Sequence, residues 1–414
     1  MRPHHLYRNI AILKINRNHL RLIDKTDLVI DKLNKTLSLQ IFIAIILGAL
    51  AGVCFPHFAV RLQWVGSLFV LVIEPFVPPV IFLSIVSVFG SLENLKLAGR
   101  ITAKAILYFA VVSTLAIIFG MCSALIIHPG KIDRSLVESI EPAKVMTTYY
   151  EGWLKFVMQN GMLLLFVLAV AIGILINRLA NRDAVVNIFE HLKSTVLRVL
   201  RYLFLLAPVI TFSGIAYTVG RFGLDTLVPI GKLLAGTYIT MFLFIALILG
   251  SLLAGLKVNL YTFLGLIKNE LLYALGTSSS SSVIPLLLEK LEKIGLKTPV
   301  VRLVTVTGNS LNLNGTCIYL GMSVIFLAQL YNVSFSLTEL AGIVVIILLT
   351  SKGASGIPGT GFLALVTTVG SIHQIPVEGL AILLSIDRFM SEARAITNTV
   401  GHAIAALIIS KSES

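Results

Sequence analysis

Charge is scarce in this chain. Aspartate, glutamate, lysine and arginine make up 13% of its 414 residues against 57% hydrophobic, and the mean hydropathy is +0.93. Soluble domains carry about 25% charge, so a water-covered globular protein is excluded. Cysteine is nearly absent: Cys54, Cys122 and Cys317 lie far apart, which signals neither a disulfide framework nor a metal site. Acidic residues number 20 against 33 basic ones, a formal net charge of +13. That excess would suit nucleic acid, but eight of the basic residues fall within Met1 to Lys35, just before the first apolar run. A basic segment there reads as held on the cytoplasmic side against anionic lipid, and no nucleic-acid partner is expected. The segment also lacks the uninterrupted apolar core of a cleavable signal peptide.

Apolar runs are what the chain has in quantity. Blocks at about 39 to 57, 63 to 90, 101 to 128, 152 to 178, 190 to 218 and 226 to 256 are each long enough for one crossing, which takes about 20 helical residues. The expected class is an all-α polytopic membrane protein. After residue 257 the pattern changes. Tyr261 to Leu275 carries Lys268, Asn269 and Glu270, and its length of about 22 Å is too short to cross comfortably. The run Gly276-Thr-Ser-Ser-Ser-Ser-Ser-Val-Ile284 follows, then a short apolar piece, Val283 to Leu291, that ends in the charged stretch Glu289 to Lys293. A second unit of the same kind comprises Leu340 to Leu349, the helix-breaking Ser351-Lys-Gly-Ala-Ser-Gly-Ile-Pro-Gly-Thr-Gly361, and Phe362 to Val369. Each unit precedes a full-length span, at about 299 to 330 and 376 to 409, and the first of these is interrupted at Asn309 to Thr316. Irregular backbone at membrane depth survives only where protein or a water-filled cavity shields it, and paired broken segments point to a carrier's midplane site. A serine tract is ordinarily a flexible linker. These flanks neither cross fully nor read as soluble, so this one reads as the tip of a re-entrant hairpin.

The last span carries Asp387, Arg388, Glu392 and Arg394, and ionisable groups at such depth are functional candidates. Asp387, Ser391, Arg394, Asn398 and His402 recur at helical spacing on one face, while Arg388 and Glu392 pair on another. The bland alternative, a helix end among lipid headgroups, is opposed by the apolar run Ala403 to Ile409 beyond the stripe. A guanidinium facing inward suits a bidentate carboxylate ligand, and Asp387 is placed to hold it in the empty site. Serine hydroxyls and helix N-termini at the hairpin tips suit a second carboxylate. Two facing anion sites indicate a dicarboxylate.

Together "GTSSSSSVIP", "NLNGT", "SKGASGIPGTG" and "DRFMSEARAITN" resemble the dicarboxylate/amino acid:cation symporter family, in the family's order and over roughly residues 38 to 411. The form "DRFMSEAR" is similar to that of bacterial four-carbon dicarboxylate carriers. The resemblance implies eight transmembrane helices, two re-entrant hairpins and inverted repeats, with a homotrimer whose transport domains move as elevators. The parts would be a basic cytoplasmic segment at 1 to 37, a mostly trimerising scaffold at 38 to 256 whose third and sixth spans join the transport domain, and a transport core at 257 to 411. The setting would be the bacterial inner membrane, with membrane lipid as the other partner. Substrate binding is implied for Ser279, Ser280, Leu313, Thr316, Ile357, Gly361, Ser391, Arg394 and Asn398. Cation coupling is implied for Gly308, Asn312 and Asn398. No enzymatic activity and no cofactor are expected beyond a coupling ion, proton or sodium.

The departures from the family sharpen this reading. Ser391 stands where amino-acid carriers place the aspartate that meets the substrate's ammonium group. Asn314, Phe109, Val112 and His402 stand at positions that are oxygen-rich or carboxylate in sodium-coupled members, with Ser113 retained and Ser281 replacing a glutamate common in the bacterial serine motif. Hard-cation sites need charged oxygen ligands, so sodium coupling is weakened. Proton symport is expected, with His402 either the coupling group or a satisfied interior histidine, and with a residual sodium site near Ser310 and Ser351. The competing reading within the family is a proton- or sodium-coupled glutamate/aspartate symporter. An intramembrane serine protease is a remote rival, because Gly353-Ala-Ser-Gly356 fits its GxSG pattern, with His373 or His402 as base for Ser355. Such an enzyme needs neither the serine run nor Arg394. An anion channel is separated from a carrier by accumulation against a gradient.

Overall fold

The computed structural model describes residues 37, 39–90, 98–131, 161–224, 227–354, 356, 359–372, 374–376 and 379–413. The basic segment before residue 37, and Ser355, Ile357 and His373, lie outside the described residues. Every regular element among the described residues is helical. Three continuous runs there are long and apolar enough to cross a membrane, Arg100–Ile127, Leu227–Gly255 and Thr298–Leu330, and five if two bent pairs each count as one. The eight expected spans are therefore matched only in part. Proline explains two of the interruptions, since it removes an amide and clashes with the preceding turn. The helix α1 (Leu39–Cys54) bends by 119° into Pro56–Val65, so the block at 39 to 57 is broken. The block at 63 to 90 divides into α3 (Gln63–Ile73) and α4 (Val77–Gly90) around the 3-10 turn Glu74–Phe76, with α2 (Pro56–Val60) ahead of them.

The chain continues through α5 (Ala98–Ile127), α6 (Gly161–Asn177), α7 (Arg182–Phe204), α8 (Ala207–Phe222) and α9 (Leu227–Leu243), whose axis runs on through a π-helical turn into α10 (Gly250–Gly255). The first helix–loop–helix unit comprises α11 (Leu260–Leu266), α12 (Lys268–Thr277) and α13 (Ile284–Lys293). Asn259 starts it by accepting a hydrogen bond from the Thr262 amide at 3.2 Å, an N-cap. The broken span follows as α14 (Thr298–Leu311) and α15 (Asn314–Leu330). The second unit comprises α16 (Leu337–Thr350), opened by a Ser336–Glu339 capping box, and α17 (Thr360–Ile372). The last helix, α18, runs from Leu380 to Ser412, 33 residues or ~50 Å, long enough to cross.

The centre of the molecule is α15, buried at every position but Gln329. A helix apolar on all sides belongs inside a bundle. It packs on α5, α9, α16, α17 and α18. Its approach to α5 is close because both contribute glycine. A Cβ on Gly120 would lie 2.6 Å from the Ile318 carbonyl oxygen, and one on Gly321 would lie 2.8 Å from that of Ile117. Small residues that let backbones meet are the ordinary means of joining helices in lipid. By contrast α1 and α9 leave large apolar side chains outward, among them Leu47, Leu50, Ile239 and Phe242, as expected of lipid-facing surfaces.

Candidate binding site

Two loops and one helix break meet at the polar face of α18. The serine run forms the first loop. Helix α12 ends at Thr277, Ser278 takes a left-handed φ of 51° as its C-cap, and one 3-10 turn covers Ser281–Val283 before α13 begins. The second loop follows α16 with a 3-10 turn at Ser351–Gly353 and an extended Ala354, and Gly359 has a φ of +87° before α17 starts. The loops touch at their tips. The Gly356 carbonyl oxygen accepts hydrogen bonds from the Ser281 amide at 3.1 Å and from Ser279 Oγ at 2.8 Å.

Between the tips and α18 is a cavity of about 230 Å³, counting space that opens outward. The first loop lines it with Ser278 and Ser280, the second with Gly356 and Gly361, α15 with Thr316, and α18 with Ser391, Arg394, Ala395 and Asn398. The hydroxyls of Ser278 and Ser280 are buried and have no hydrogen-bond partner among the described residues, which leaves them for a ligand. Of the residues expected to bind substrate, Ser280, Thr316, Gly361, Ser391, Arg394 and Asn398 line the cavity. Ser279 is instead committed to the contact between the loops. Leu313 is wholly buried as the N-cap of α15, and its side chain does not line the cavity. The sequence reading missed Ser278, Gly356 and Ala395. The serine and the glycine sit in stretches that it did single out, but repeats of one residue type do not reveal which members face inward.

Arg394 dominates the electrostatics. It is buried, and its Nη1 lies 3.0 Å from Asp387 Oδ1, an ion pair by distance whose angles fall short of a hydrogen bond. Nη2 donates to Ser391 Oγ, and the guanidinium lies 4.3 Å above the Tyr319 ring. This is the Asp387 hold expected from the sequence, completed by a cation–π contact that the sequence did not announce. A Cβ on Gly361 would come 2.3 Å from Nη1, so the absence of a side chain there makes room for the guanidinium. Removing one member of a buried ion pair strands the other at a cost of roughly 3–5 kcal/mol.

A second polar layer lies further along α18. Asn398 Oδ1 accepts from the Gly315 amide at 2.8 Å, and its Nδ2 lies 3.5 Å from Thr316 Oγ1. The Asn312 side chain donates to the Gly401 carbonyl at 3.1 Å, and His402 Nε2 sits 3.1 Å from the Gly308 carbonyl oxygen. Asn312 Oδ1, both polar atoms of the Asn314 side chain and His402 Nδ1 are buried without a partner among the described residues. Gly308, Asn312, Asn398 and His402 are thus brought together. Ser310 is half-buried at the end of α14, and Ser351 turns its hydroxyl back to the Leu348 carbonyl of its own helix at 3.0 Å. Beside them, where a residual cation site is expected, Lys352 Nζ donates to the Leu311 carbonyl at 2.6 Å.

Residues 37–412 match the sodium:dicarboxylate symporter family. The C4-dicarboxylate transport protein of Bacillus subtilis (strain 168) is 36% identical over 399 residues, covering 92% of this chain and 95% of that protein. The protein of the same name from Deinococcus radiodurans is 38% identical over 400 residues, 92% and 90% of the two chains, and that from Pectobacterium atrosepticum is 37% identical over 395 residues, 91% and 92%. With its helical bundle, its polar cavity and a family match that spans nearly all of it, the chain belongs to the sodium:dicarboxylate symporter family.

Proposed function

We propose that the chain is a secondary active symporter of four-carbon dicarboxylates such as succinate, fumarate and malate, working in the bacterial inner membrane with its N-terminus cytoplasmic. The observation that carries this is Arg394 facing the cavity with neutral Ser391 beside it. One substrate carboxylate pairs with the guanidinium in place of Asp387. The other meets Ser278, Ser280 and the loop backbone, with Thr316 and Asn398 between them. The names of the relatives support this substrate class. The loops act as re-entrant hairpins, and the core at 257 to 411 moves as an elevator against a trimeric scaffold. The packing of α5 and α9 on α15 supports placing the third and sixth spans with that core.

Coupling is to the proton, with His402 in the second polar layer as the carrier, because its Nδ1 has no partner among the described residues. A second reading, symport of glutamate or aspartate, has one specific observation in its favour: Asp387 Oδ2 lies 3.5 Å from Ser391 Oγ, so a carboxylate is within a turn of the place where an ammonium would sit. Uptake of labelled succinate into proteoliposomes under separate proton and sodium gradients tests all of this. Accumulation under a proton gradient alone, abolished by Arg394→Ala, is expected. Aspartate outcompeting succinate, or strict sodium dependence with indifference to pH, would overturn the substrate or the coupling. Ser391→Asp should shift preference toward amino acids.

A further inference from the structure

The break between α14 and α15 frees a carbonyl. In a continuous helix the Leu311 oxygen would accept from the Gly315 amide, four residues on. That amide donates to Asn398 Oδ1 instead. A buried carbonyl without a partner is costly. The Leu311 oxygen is met by Lys352 Nζ at 2.6 Å, and the same ammonium donates to Ser113 Oγ at 3.0 Å. Ser113 is wholly buried on α5, with its Oγ 3.5 Å from the Leu311 oxygen. Two neutral oxygens from separate elements therefore converge on one positive charge. Among the described residues no carboxylate forms an ion pair with Lys352. Neutral carbonyl and hydroxyl oxygens are also the ligands a small hard cation takes. The ion-coupling residues put forward above do not include Lys352.

A neutral amide could satisfy the same carbonyl without bringing a charge to this depth, where charges are expensive. The use of an ammonium therefore needs a reason beyond hydrogen bonding. We infer that Lys352 is a tethered cation: its ammonium occupies the oxygen pair of Ser113 and Leu311 in place of a mobile monovalent ion and ties the second loop to α5 and α14. A charge that would otherwise be recruited from solution is then covalently part of the loop that covers the cavity, and no ion is needed at this position. The inference rests on the transport reading only for its effect on uptake.

The test uses the full-length protein as wild type, Lys352→Ala, Lys352→Met and Lys352→Arg. Melting temperature in choline buffer is measured with and without sodium or propylammonium, alongside labelled succinate uptake in proteoliposomes. Propylammonium supplies the three carbons and the nitrogen that the alanine substitution removes. Uptake by Lys352→Ala in choline should fall about tenfold or more. Propylammonium or sodium should restore it and raise the melting temperature of that variant, and propylammonium should leave the melting temperature of wild type unchanged. Lys352→Arg, which keeps the charge, should retain part of the uptake. Wild-type uptake by Lys352→Met in choline would overturn the inference, and this holds even if the alanine variant does not fold. Indifference of Lys352→Ala to both cations in melting and uptake would also overturn it. A cation-dependent melting shift in Lys352→Ala, with no succinate uptake by wild type, would sustain the tethered cation while removing the transport reading.

Discussion

The two loops that close the cavity do so with opposite chemistry. The first presents hydroxyls: Ser278 and Ser280 hold buried oxygens that have no partner among the described residues, and Ser279 reaches across to the other loop. The second presents backbone and empty volume: the Gly356 carbonyl receives both cross-loop hydrogen bonds, and Gly361 leaves room for the Arg394 guanidinium. The first loop should therefore tolerate loss of an atom far better than the second tolerates gain of one. Overfilling a packed site forces backbone to move, whereas deleting a hydroxyl that has no partner among the described residues removes only what it would give a ligand.

Between the loops, the larger effect is expected from Gly356→Ala in the second. Its Cβ would lie 2.0 Å from Ser280 Oγ and 2.8 Å from the Ser281 amide nitrogen. The serine hydroxyl could rotate away, but the backbone amide cannot without separating the loops. Succinate uptake should fall about 10- to 100-fold, as for overpacking of 1–3 kcal/mol, while the purified protein stays folded. Uptake within a factor of two of wild type would show that the loop contact is not needed for transport.

Gly361→Ala should come next. The clash is with the far end of a long side chain, at 2.3 Å from Arg394 Nη1, so the fold is preserved and the guanidinium is displaced. Succinate should bind about tenfold more weakly, within the range for loss of a charge-assisted hydrogen bond, with a melting temperature close to that of wild type. Calorimetric titration measures it. A large drop in melting temperature with unchanged affinity would mean that Gly361 serves packing rather than Arg394.

The smallest effect belongs to the first loop. Ser280→Ala removes a hydroxyl without a partner among the described residues, so stability should barely change and succinate affinity should fall about threefold, the value of one ordinary hydrogen bond. Ser279→Ala is the informative companion, since that hydroxyl holds Gly356 and not the cavity. It should slow uptake more than it weakens binding. Equal effects of the two on affinity would erase the distinction drawn between the serines.

Much of this was legible in the amino-acid order because it depends on short-range rules. Apolar runs of helical length require helices in lipid, since a helix satisfies its own backbone. Ser278 to Ser282 and the glycines at 353, 356, 359 and 361 interrupt those runs at the places where the loops form. The spacing of Asp387, Ser391, Arg394 and Asn398 puts them on one face whatever surrounds them. Tertiary structure alone decided which serines face the cavity, that Tyr319 lies against Arg394, and that Lys352 reaches Ser113, 239 residues away in sequence. It also decided that the first apolar block bends by 119° ahead of Pro56 instead of continuing as one straight span. Periodicity reports on neighbours within a turn or two of helix, whereas these contacts depend on how whole helices pack, and close packing selects partners by shape across the full length of the chain.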